Sequence, residues 1–178
     1  MGKLYDITGF WNMSYDYKFN TNDSWKGSIV LNDDGWFEGF VCNPNNPSEE
    51  RLIIGVYIPD RGIEVIKIRL NKIENPIIYR CISKNGYCGK YYIIGYMSEF
   101  FCGMTNIVLS DVEKNKDNNT KKRNIIKEKE EILKKINRIK NRDEFQRIYN
   151  VALTKKLDII NSIMNNYYEG STKTKRLI

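Results

Sequence analysis

The 178-residue chain contains no histidine. That removes the commonest general base and the commonest zinc or iron ligand, and with it every Ser–His and Cys–His pairing of nucleophilic catalysis. The four cysteines, Cys42, Cys81, Cys88 and Cys102, form no C-x-x-C pair, so reduced, buried thiols are expected. A Cys81–Cys88 bridge across a hairpin is the alternative in an oxidising compartment. No apolar run approaches the roughly 18 residues of a membrane span. The start, Met1-Gly2-Lys3-Leu4-Tyr5-Asp6, lacks the apolar core of a signal peptide and has Asp6 where myristoylation wants Ser or Thr. Gly-x-Gly phosphate signatures and P-loop spacings are absent. The expectation is a cytoplasmic protein that is not an enzyme and uses neither metal nor cofactor.

What the chain does have is aromatic side chains in alternation. From Ile7 to Phe19, a period of two places Trp11, Met13, Tyr15, Tyr17 and Phe19 on one face, the pattern of a long half-buried strand. Seven more strand-like runs follow: Trp25 to Leu31, Trp36 to Val41, Leu52 to Ile58, Ile63 to Leu70, Ile77 to Ser83, Tyr87 to Met97 and Cys102 to Leu109. Turn chemistry separates them. Asp34-Gly35 and Asn85-Gly86 are hairpin dipeptides, because their residues tolerate positive φ. Short strands in hairpin order, with no helical period between them, predict an antiparallel up-and-down meander. Eight strands is the number at which such a meander closes into a small barrel that is just filled or holds one small ligand. A β-sandwich is the competing architecture.

The run Ile7-Thr8-Gly9-Phe10-Trp11 at the head of an eight-strand meander resembles the calycin superfamily, the lipocalins and avidins, over about residues 5–110. In that family a G-x-W sits on the first strand at the closed end of the barrel. The run Cys102 to Leu109 has no Arg or Lys to stack on the Trp, as lipocalins have. Met13 and Tyr17 stand where avidins place Asn and Ser for biotin. The resemblance therefore implies a calycin-like barrel and a structural role for Trp11, and nothing about the rest of the chain.

Charge divides the sequence. Residues 1–113 carry 11 Lys+Arg against 14 Asp+Glu, and residues 114–178 carry 18 against 8, so balances of −3 and +10 make up the net +7. The expected organisation is a β-barrel over 1–113, a linker over 114–120, and a basic helical hairpin with a tail over 121–178. In the first helix Ile125, Ile126, Ile132, Leu133, Ile136 and Ile139 form an apolar stripe. Asp143 and Gln146 resemble a capping box opening a second helix that runs to about Tyr168. The hairpin's apolar faces would pack on each other, on the barrel or on another copy of the chain.

Two binding roles from different classes follow. Trp11, Met13, Tyr15, Tyr17, Trp25, Trp36, Phe40 and Tyr91 could line a barrel cavity for a small apolar or aromatic ligand; the plainer reading is that they fill the barrel. Alternatively, Lys121, Lys122, Arg123, Lys127, Lys134, Lys135, Arg138, Lys140 and Arg142 could neutralise the phosphates of a nucleic acid or dock on an acidic protein or nucleoprotein, with the barrel as scaffold. There the plainer reading is a solvated helix laced by pairs such as Glu131 with Lys135. Glu38 and Glu64 share strand faces with Trp36 and Phe40, and with Ile66 and Ile68. An inward carboxylate would carry a raised pKa, but a bulge or register change that sends the side chain to water is the favoured reading.

Overall fold

The computed structural model describes residues 2–14, 16–70, 76–84, 86–94, 99–114 and 123–140. Eight strands, β1 (Lys3–Asn12), β2 (Ser24–Leu31), β3 (Trp36–Asn43), β4 (Asn46–Ile58), β5 (Gly62–Arg69), β6 (Ile77–Ser83), β7 (Tyr87–Ile94) and β8 (Glu99–Asp111), precede one helix, α1 (Ile125–Lys140). Every strand pairs antiparallel with its neighbour in sequence, and β8 returns to β1, so the sheet is a closed barrel. Closure, not a sandwich, is the outcome. The pairing Tyr5↔Asp111 to Asn12↔Met104 seals it. Two hairpin glycines take the expected left-handed backbone, Gly35 at φ 89° and Gly86 at φ 92°.

Alternation sorts side chains into two apolar clusters. Ile7, Trp25, Ile29, Phe37, Val41, Ile53, Ile63, Val65, Tyr79, Cys81, Tyr91 and Ile107 form one. All are odd-numbered, and together they fill the barrel interior. The second cluster takes even-numbered strand residues such as Leu4, Val30, Phe40, Ile54 and Ile66 together with Ile132, Ile136 and Ile139 of α1. It is the outer face, and the helix lies across β1, β2 and β3 there. Both faces of the central strands are therefore buried, and β3 and β5 show no exposed position before their last residues.

This two-sided burial corrects several expectations. β1 ends at Asn12, where Asn12 Oδ1 accepts hydrogen bonds from Ser14 N and Ser14 Oγ and turns the chain; the strand does not continue to Phe19. Trp36 and Phe40 belong to the outer face. Glu38 and Glu64 face outward too, yet neither reaches water freely. Trp36 Nε1 donates to Glu38 Oε1 at 3.0 Å, and Arg80 Nε donates to the buried Glu64 at 3.3 Å. On α1, Ile126 and Leu133 sit off the packed stripe and are exposed, whereas Ile125, Ile132, Ile136 and Ile139 lie on it.

The helix start is fixed from both sides. Asn124 Oδ1 accepts from Lys127 N, an N-cap. Arg123 reaches back to β1 and donates to both Asp6 oxygens at 2.8 and 3.1 Å. The expected second helix, with Asp143 and Gln146 at its start, lies outside the described residues. No helix among the described residues is long and apolar enough to cross a membrane.

Candidate functional site

One end of the barrel interior is full. Tyr57 and Tyr87 share a hydrogen bond between hydroxyls at 2.9 Å, and Tyr5 packs against Tyr57. Removal from water raises the Tyr57 hydroxyl well above its ordinary value, with the Tyr87 hydrogen bond adding to it. Leu31 and Leu109 complete this plug.

The opposite end is hollow. A cavity of about 240 Å³ is lined by Trp11, Trp25, Arg51, Lys67, Tyr79 and Tyr91, with Ser24, Val41, Cys42, Asn43 and Ile77 around them. Its position follows from the strand ends: β1, β3, β5 and β7 finish there, and β2, β4, β6 and β8 begin. The aromatic wall is ordered. Trp25 meets Tyr79 edge-on at 5.3 Å, and Tyr79 stacks on Tyr91 at 5.5 Å with only 20° between ring planes. Gly9 makes this possible, since a Cβ at that position would fall inside the Trp25 indole. The G-x-W pair thus holds a second tryptophan as well as Trp11, which is half-buried at the cavity wall.

Lys67 is the chemical centre of the cavity. Its Nζ lies 5.3 Å from the Tyr79 ring centroid and 5.8 Å from that of Trp25. Burial, with Arg51 and Arg69 nearby, pushes its ammonium down to about 7. Arg51 and Arg69 are directly paired across β4 and β5, so three cations converge on one end of one face. Glu49, two residues before Arg51 on β4, pairs with it at 3.4 Å through a half-exposed side chain. Burial also raises the Tyr91 hydroxyl, with Cys102 and Asp23 adding to it.

Of the residues expected to line a cavity, Trp11, Trp25 and Tyr91 do so. Met13 and Tyr17 do not: both are exposed, and Tyr17 packs through Phe19 toward Phe10 on the outer face. Trp36 and Phe40 lie outside the barrel, and Tyr15 lies outside the described residues. Arg51, Lys67 and Tyr79 were not anticipated. The available signal was Lys67 and Arg69, which continue the apolar alternation of Ile63 and Val65 with charge.

The basic set is divided. Arg123 is bound to Asp6 and Glu128. Lys135 contacts Glu50 at 3.0 Å and sits over the Phe40 ring, where the expected partner was Glu131. Lys127, Lys134 and Arg138 are exposed and share one helix face. Lys140 ends the helix with its side chain undescribed, and Lys121, Lys122 and Arg142 lie outside the described residues. Two more open depressions, one between α1 and β2–β3 and one around Asp33 and Pro59, are lined by charged residues with a single aromatic each, Phe40 and Tyr57. No protein-family model, curated protein or solved structure matches the chain.

Proposed function

We propose that the protein is a non-enzymatic binding protein whose calycin-like barrel holds a small aromatic ligand at its hollow end. The observation that carries this reading is the asymmetry of the interior: a tyrosine plug closes one end, and an aromatic-walled cavity of about 240 Å³ remains at the other. That volume lies just below the range of drug-sized sites, which favours a ligand of one or two rings. Ring stacking on Tyr79 and Tyr91 would give such a ligand orientation as well as burial. The test is quenching of intrinsic tryptophan emission by a neutral aromatic probe, 2-naphthalenemethanol. Quenching should be insensitive to salt, and should be lost in Ile77→Trp, which fills the cavity mouth. Equal binding by that variant and the wild type would refute the site.

The aligned Lys127, Lys134 and Arg138 support a second reading, docking of α1 on a nucleic acid or an acidic nucleoprotein surface, with the barrel as scaffold. Three phosphate contacts would give a steep salt dependence, a log–log slope of about −2 to −3. Lack of any salt-sensitive retention on immobilised RNA or DNA would discard it.

A further inference from the structure

We propose that the ligand of the barrel cavity is an aromatic carboxylate, its ring against Tyr79, Tyr91 and the two tryptophans and its acid group on Lys67. This rests on the aromatic-ligand reading above and adds the charge. Lys67 and Arg51 line the cavity, Arg69 adjoins them, and among the described residues no Asp or Glu lines it. Lys67 has no carboxylate or hydrogen-bond partner among the described residues, only the ring faces of Trp25 and Tyr79.

Charged groups facing Lys67 from neighbouring strands are the guanidinium groups of Arg51 on β4 and Arg69 on its own strand. Tyr79 on β6 and Tyr91 on β7 contribute neutral hydroxyls. Two carboxylates stand nearby: Glu49, which is ion-paired with Arg51 at 3.4 Å, and Asp23, which bears on Tyr91. Neither contacts Lys67. Burial first, and the Arg51 and Arg69 guanidinium groups second, make the Lys67 ammonium unfavourable where no anion sits on it. A ligand carboxylate offsets this and draws the proton back onto Nζ. Partial burial against the aromatic wall lowers the local dielectric and strengthens the resulting pair.

The experiment compares 2-naphthoate with its neutral isostere 2-naphthalenemethanol, titrated into the full-length protein and followed by tryptophan emission. At about pH 6.5 the wild type should bind naphthoate at least about tenfold more tightly than the alcohol, a difference of about 1.4 kcal/mol or more. Naphthoate affinity should fall at least about fivefold on going to about pH 8.5, as Lys67 loses its proton, while the alcohol's stays level. In Lys67→Met the ratio of naphthoate to alcohol affinity should fall to about one, and in Lys67→Arg the preference should persist without the pH dependence. Equal affinity for the two probes in the wild type, or a preference surviving in Lys67→Met, overturns the carboxylate assignment while leaving the aromatic site standing. Failure of both probes to bind the wild type overturns the aromatic site itself.

Discussion

Replacing Lys67 by Met should stabilise the protein, and by an amount that depends on pH. In the folded state burial and two neighbouring guanidinium groups lower this lysine from an ordinary 10.5 to about 7. At about 1.4 kcal/mol per pH unit, that difference amounts to at most about 5 kcal/mol of disfavoured charge. Two effects reduce it. The cavity admits water, and the ammonium's contacts with the Trp25 and Tyr79 rings, worth about 1 kcal/mol, vanish with it. A gain of about 2–3 kcal/mol near pH 6 is therefore expected, a large share of the stability of an ordinary domain. The folded state holds the Lys67 proton less tightly than the unfolded chain does. The penalty is therefore complete below about pH 7 and fades as pH rises toward 10.5. Wild-type stability should climb over that interval relative to the variant, and the two should converge. Tyr5, Tyr57, Tyr79 and Tyr91, all raised, are common to both proteins and cancel in the difference. Urea denaturation followed by tryptophan emission at several pH values measures the gap. A variant less stable than the wild type at pH 6, by a margin that does not change at pH 9, would refute the reasoning.

Gly9→Val should destabilise by about 2–4 kcal/mol, because the new side chain displaces the Trp25 indole from the Tyr79 edge; loss of near-ultraviolet dichroism together with a lower urea midpoint would show it. Cys81 is buried, and removal from water pushes its thiol far above the ordinary value, so it should be the last of the four free cysteines to be alkylated in the native state. Peptide mapping by mass spectrometry after iodoacetamide treatment gives the order. Arg123→Ala should cost about 1 kcal/mol by freeing the start of α1 from Asp6. A thermal shift that shrinks in high salt would distinguish the lost ion pair from lost packing.

The strand count, the hairpin order and the closure were all legible in the sequence, because turn dipeptides and period-two alternation act locally. The β6 run, Ile77 to Ser83, coincides with the strand end to end. Inside and outside were harder to read. β3, from Trp36 to Asn43, is apolar on both faces because α1 and the outer cluster cover the face that water would otherwise mark. Alternation alone therefore lets Trp36 and Phe40 read as inward, whereas Phe37 and Val41 hold that position. The glycines carried the missing information: Gly9, Gly27, Gly39, Gly55 and Gly89 are all odd-numbered and all lie where a Cβ would strike a ring or a neighbouring backbone. Lys67 is not legible as inward, because a lysine within an apolar strand reads as an outward residue until parity is fixed. The overlong first strand failed for another reason. The aromatic alternation through Tyr17 and Phe19 continues, but Asn12 satisfies the turn's donors and ends the strand.

The seam between β1 and β8 governs how the chain can be made. Lys3–Asn12 leaves the ribosome first of the strands, and its second partner, Glu99–Asp111, leaves last. Until β8 emerges the nascent sheet is an open ribbon of at most seven strands with two bare margins, and the cavity lacks one wall. Loop closure over nearly the whole barrel must precede any ligand binding, which makes this a slow, late event among folding steps. A ligand added during translation would therefore find no site until β8 has docked, and its capture would report the moment at which the seam closes.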